Sequence, residues 1–158
     1  MKTPLLGMFI LLAACNQSDS TNDAIPKDST IVVSADTIPE IRSTIKSNPV
    51  ATYSEPIKDE LNDWKFAVSI YETKRTFHYT IRIQAKEVRV SDSINIPNLG
   101  VWPEVVIRKG KEPLSCIIGF LDKKKEFKEY RLISFKNDQL HFKTLNNYRV
   151  SAYKTNSK

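Results

Sequence analysis

Two histidines, two cysteines and a scatter of carboxylates are the groups in this 158-residue sequence that could carry catalysis or hold a metal. His78 and His141 each stand on the polar phase of an alternating segment, where an exposed surface side chain is expected. No Cys/His grouping has zinc spacing, and no dense run of carboxylates suits calcium. Glu104, Glu112, Asp122, Glu126 and Glu129 lie near expected strand ends and alternate with lysines. That pattern fits a solvated surface better than a paired general acid and base. No G-x-S-x-G elbow places a nucleophile. The four glycines, Gly7, Gly100, Gly110 and Gly119, form neither G-x-G-x-x-G nor G-x-x-x-x-G-K-[ST], so a glycine-cradled phosphate loop is not expected. The sequence therefore leads to the expectation of a non-enzyme, with no catalytic residue, no cofactor and no metal site.

Binding chemistry has two better candidates. Lys123, Lys124 and Lys125 form the densest basic run, at an expected hairpin tip. They read as a soluble turn or as a contact for an anionic surface, such as phospholipid head groups, lipopolysaccharide phosphates or an acidic protein. The segment Ile94 to Pro103 sets Leu99, Val101 and Trp102 among turn residues. Long irregular loops in small domains are often functional, and Trp is a favoured interface anchor. The competing structural reading is that these apolar side chains cap one end of the core. Nucleic acid is not an expected partner, because no aromatic-interleaved basic motif is present. Cys116 sits in the apolar run Leu114–Ile118 and reads as a small buried hydrophobe.

The elements that would position these groups are strands. Trp64, Phe66, Val68 and Ile70 fall on one face of an alternating run, and Phe77, Tyr79, Ile81 and Ile83 on one face of the next. A period of two marks half-buried strands, and the short polar Glu72–Arg75 between them suits a hairpin. Further strands are expected at Glu87–Val90, Val105–Arg108, Leu114–Leu121 (central, buried on both sides), Phe127–Phe135, Leu140–Leu145 and Tyr148–Tyr153. Asp92–Pro103, rich in turn formers, reads as a loop. The expected fold is mostly β: an antiparallel sandwich or small barrel of about seven strands with meander connections, over residues 57–154, with a disordered tail at 155–158.

Ahead of it, residues 15–56 read as a tether. Their first part is polar, and Pro26, Pro39, Pro49 and Pro56 recur at short intervals. Ile31–Val33 could form a short strand and Glu40–Ser47 a helical turn or two. Residues 16–56 hold three basic and six acidic residues, whereas 57–158 hold twenty and twelve, so a mildly acidic tether carries a basic domain.

The first fourteen residues combine one early lysine, Lys2, with an uncharged apolar run from Pro4 to Ala14. That run is shorter than the roughly 20 residues that span a bilayer, and it reads as a secretory signal. It ends in Leu12-Ala13-Ala14-Cys15, which resembles the lipobox of bacterial lipoproteins at every position. The resemblance implies cleavage before Cys15, diacylglycerol on its thiol and an acylated amine, an anchor that holds firmly because more than one chain inserts. The short signal, polar tether and lysine- and isoleucine-rich β domain resemble, in style, small lipoproteins of Bacteroidota. Asn16 rather than Asp after the cysteine favours the outer over the inner membrane by the enterobacterial sorting pattern. The expected function is a non-catalytic binding module of the cell envelope, contacting an envelope protein or an anionic lipid or glycan through Trp102 and Lys123–Lys125. The alternatives are an assembly factor of an envelope complex and an envelope hydrolase.

Overall fold

The computed structural model describes residues 27–33 and 38–152. The apolar N-terminal run, Cys15 and the tail at 155–158 lie outside the described residues. The described residues form ten strands: β1 (Lys27–Val33), β2 (Ala51–Pro56), β3 (Lys65–Glu72), β4 (His78–Ala85), β5 (Val88–Asn95), β6 (Glu104–Lys109), β7 (Ser115–Leu121), β8 (Phe127–Lys136), β9 (Gln139–Thr144) and β10 (Asn146–Ala152). Two four-stranded antiparallel meanders, β2-β3-β4-β5 and β6-β7-β8-β9, face each other, and β1 pairs with β10 in parallel.

The alternating apolar residues do what their period requires. Phe66, Val68 and Ile70 of β3 and Tyr79, Ile81 and Ile83 of β4 are buried on one side of the first sheet. Cys116, Ile118 and Phe120 of β7 and Ile133 and Phe135 of β8 meet them from the second, in one continuous core. The sheets do not close into a barrel. Side chains bridge the two sheets instead: Glu55 at the end of β2 accepts from the Leu114 N–H at 3.2 Å and pairs with Lys109 at 3.6 Å. On the far side Arg131 of β8 reaches Asp92 of β5 at 2.7 Å.

Local chemistry sets the turn between β8 and β9 and the irregularity in β7. Asn137 and Asp138 both adopt left-handed backbone, with φ of 51° and 58°, between the paired Lys136 and Gln139. Such two-residue turns match the twist of antiparallel strands, and after glycine Asn and Asp tolerate them best. The pairing of β7 with β8 shifts between Ile118 and Gly119. There the Phe127 ring lies over Gly119, where a Cβ would meet it at 2.5 Å. Glycine is required by that close approach.

The mostly β sandwich is as expected, with eight strands over 57–152 against about seven, and β1 and β2 ahead of them. Three expectations change. The loop expected over Asp92–Pro103 begins only at Ile96, because Asp92–Asn95 continue β5 opposite His78–Ile81. The tether expected over 15–56 ends earlier: Ala51–Pro56 form the edge strand β2, in register with Lys65–Ile70. Residues 38–50 contain no helical turn, and Ile41 forms a β-bridge to Arg75. The prolines had suggested extended chain, and extended chain is also what an edge strand needs.

Candidate functional site

The two surfaces singled out from sequence lie at one end of the sandwich. Glu104, two residues after Trp102, opens β6 opposite Leu121, the last residue of β7. The Lys123–Lys125 turn follows immediately, and the Lys125 ammonium pairs with Glu104. The β3–β4 turn and the loop leaving β5 are at the same end, since Glu72 pairs with Tyr79 and His78 with Asn95.

Trp102 itself is outside the core, with 56% of its surface exposed, whereas Ile96 and Leu99 of the same loop are buried. Thus the capping reading applies to Leu99, not to the indole. The backbone carrying the indole is held from behind. The Tyr79 hydroxyl donates to the Pro103 carbonyl at 3.2 Å. The Arg42 guanidinium sits 5.1 Å from the Tyr79 ring and 5.9 Å from the Trp102 ring.

Arg42 is the hub of this end. Its side chain is 6% exposed and pairs with Glu72, 11% exposed, at 3.1 Å. It also donates to the Thr76 carbonyl and to the Tyr79 hydroxyl, both at 2.6 Å. The second carboxylate oxygen of Glu72 accepts from the Lys46 N–H at 3.0 Å. The Arg42 N–H donates to Lys74 O and the Thr76 N–H to Glu40 O, each at 2.8 Å. The buried Thr76 hydroxyl donates to the Pro39 carbonyl. Arg42 Nε is the one buried side-chain nitrogen without a partner among the described residues. Burial pushes the Tyr79 phenol above its ordinary range, and the adjacent Arg42 charge pulls it back only in part. The hydroxyl therefore stays protonated and can donate to Pro103.

This hub presents two apolar side chains that sequence reasoning missed. Ile41 and Ile45 are 59% and 46% exposed, on the segment Arg42 ties down. Their signal was two isoleucines four apart in an otherwise polar stretch, outweighed there by its prolines. Beside Ile41 is a cleft of ≈430 Å³ lined also by Glu40, Arg75, Phe77, His78 and Asn95. His78 is thus half-buried at a cleft wall, while His141 is exposed. The Thr73 hydroxyl near His78 Nδ1 is committed to the turn, donating to His78 O at 2.8 Å.

At the lysine tip, Asp122 folds the turn by accepting from the Lys124 and Glu126 N–H groups at 2.8 and 2.9 Å. Burial works to raise the Asp122 carboxyl, but the hydrogen bonds from Glu126, Lys128 and Lys124 outweigh it and hold the group below its usual range. Lys128 pairs with both Asp122 and Glu126, and Lys125 with Glu104. The local acids are therefore taken, leaving Lys123 and Lys124 as the tip's uncompensated charges among the described residues.

The remaining thiol is inert by position: Cys116 is fully buried, and desolvation pushes its pKa up to about 12. No grouping of three or more His, Cys, Asp or Glu suited to a metal occurs among the described residues. No helix among them is long and apolar enough to cross a membrane. No protein-family model, no curated protein and no solved structure matches this chain.

Proposed function

We propose that this chain is a lipid-anchored protein of the bacterial cell envelope, acylated at Cys15, whose β domain is a non-catalytic module that binds an envelope partner through its Trp102 end. The observation that carries the binding reading is an exposed indole on a rigid mount. Trp102 is 56% exposed, yet it is backed by Arg42 and by the Tyr79–Pro103 hydrogen bond. A large aromatic fixed before binding loses little entropy on docking, which is the character of an interface anchor. Ile41 and Ile45 widen the apolar surface, and Lys123 and Lys124 give an acidic partner a direction of approach. The anchor rests on the Leu12-Ala13-Ala14-Cys15 motif.

Mass spectrometry of the membrane fraction should find a mature chain that starts at an acylated Cys15. Acyl-free protein in the soluble fraction would refute the anchor. For the module, chemical crosslinking in intact membranes should yield a discrete adduct that Trp102→Ala abolishes. In the same protein the Lys123→Gln/Lys124→Gln/Lys125→Gln variant should form the adduct more slowly and with less dependence on salt. An adduct unaffected by either variant would remove the Trp102 end as the docking surface. An adduct of fixed stoichiometry that survives high salt would support the assembly-factor alternative.

A further inference from the structure

We propose that the outward face of the first sheet is a second, separate binding site, and that its ligand is an acidic polysaccharide. The face turned away from the core by β2 to β5 carries no Asp or Glu at any outward strand position. Across its middle, Ser69, Arg82 and Ser91 stand side by side on β3, β4 and β5. Arg89 lies one row further along β5, and Lys65 a row beyond that on β3. The small serines do not fill the space between these long side chains, and a groove of ≈460 Å³ results, lined by Lys65, Ser69, Tyr71, Arg82, Arg89 and Ser91 among others. The Arg82 guanidinium lies 4.6 Å from the Tyr71 ring centroid, which fixes the otherwise flexible chain. Elsewhere acids are matched to cations: Glu72, Asp92, Glu104 and Asp122 each hold an Arg or Lys. None of Lys65, Arg82 and Arg89 has an ion pair among the described residues.

The chemistry of the face selects the ligand class. Strand and row spacings separate the Arg82 and Arg89 backbones by about 8 Å, and those of Arg89 and Lys65 by about 12 Å. Charges spread in this way suit successive anionic groups on a polymer better than one phosphate. Hydroxyls of Ser69 and Ser91 on either side of Arg82, Tyr71 a row beyond and the Gln84 amide beside Arg89 suit sugar hydroxyls, and charge-assisted hydrogen bonds suit the acidic groups. A lipid surface fits poorly, because the exposed large apolar side chains are all elsewhere than on this outward face. A nucleic acid fits poorly too: the one aromatic ring lining the groove, Tyr71, is already stacked by Arg82.

The test is affinity electrophoresis and calorimetry of the full chain in non-ionic detergent, with polygalacturonate as probe and neutral dextran as control. The chain should bind polygalacturonate and not dextran. Lys65→Gln/Arg82→Gln/Arg89→Gln should weaken binding by about tenfold or more, each lost charge-assisted bond contributing. Lys123→Gln/Lys124→Gln/Lys125→Gln removes the same net charge and should leave affinity within about twofold, since screening isolates a distant tip. Ser91→Phe, which keeps every charge but fills the groove, should also weaken binding. Equal loss in both triple variants would overturn the site in favour of diffuse charge. Binding of phosphatidylglycerol/phosphatidylcholine vesicles that the first triple variant abolishes, with polygalacturonate unbound, would overturn it in favour of a lipid surface. Neither result bears on the Trp102 end, whose docking is read by Trp102→Ala in the crosslinking experiment.

Discussion

Replacing Arg42 by Met tests whether residues 38–50 belong to the folded body. Methionine keeps much of the apolar stem but deletes the guanidinium. Glu72, only 11% exposed, then loses its partner at 3.1 Å, and the Tyr79 hydroxyl and Thr76 carbonyl lose donors at 2.6 Å. Breaking a buried pair by removing one member costs about 3–5 kcal/mol. Glu72 retains the Lys46 N–H and some solvent, so the low end, about 3 kcal/mol, is expected. For a domain of this size each kcal/mol shifts Tm by about 4 °C, so Tm should fall by about 12 °C. Urea denaturation followed by tryptophan fluorescence measures the loss. Thermolysin cleavage near Ile41 and Ile45 should accelerate in parallel. In the Arg42→Met/Glu72→Gln double variant part of the loss should return, with a coupling of about 1–3 kcal/mol. A loss below about 1 kcal/mol in Arg42→Met, with unchanged proteolysis, would refute the docking of this segment and with it the rigid mount of Trp102.

Three other outcomes follow from the same structure. Leu99→Ala should cost about 2–5 kcal/mol in urea denaturation, as a buried leucine does, while Trp102→Ala should cost no more than about 1 kcal/mol; the reverse order would place the indole in the core. The Glu55 carboxyl is held below its ordinary value of 4.5, chiefly by the hydrogen bond from Tyr53, with Lys109 and the Leu114 N–H helping against burial. Its contribution is therefore present above about pH 4.5 and lost as pH falls through the lowered folded value. Glu55→Gln should lower stability at pH 7 more than at pH 3, and an equal loss at both would contradict this linkage. In a Cys15→Ser chain, Cys116 should resist a thiol reagent at pH 8 until urea unfolds the protein, as its pKa near 12 requires; labelling at the rate of a free thiol would show that β7 opens.

The local alternation of residues such as Phe66, Val68 and Ile70, or Tyr79, Ile81 and Ile83, was enough to locate most strands and their inward faces, because side chains alternate sides whatever the strand's neighbours are. The strands expected at Phe127–Phe135 and Leu140–Leu145 left room for a short turn, which the structure places at Asn137–Asp138. The Leu12-Ala13-Ala14-Cys15 motif, on which the proposed anchor rests, is likewise a linear pattern, outside the described residues. What the alternation could not supply is which strand lies beside which. Only the register brings Arg82 between Ser69 and Ser91 and leaves the outward face of the first sheet without a carboxylate. The Arg42 hub joins residues 30 to 37 positions apart, so no window of sequence contains it. Without that hub, the prolines of 38–56 read as a tether, although Pro56 ends an edge strand. Leu99 and Trp102 are both apolar, three residues apart in one irregular loop. Their opposite fates, Leu99 joining the core and Trp102 held outside it by Arg42 and the Tyr79–Pro103 hydrogen bond, were decided by tertiary structure, because a loop has no period to assign its sides.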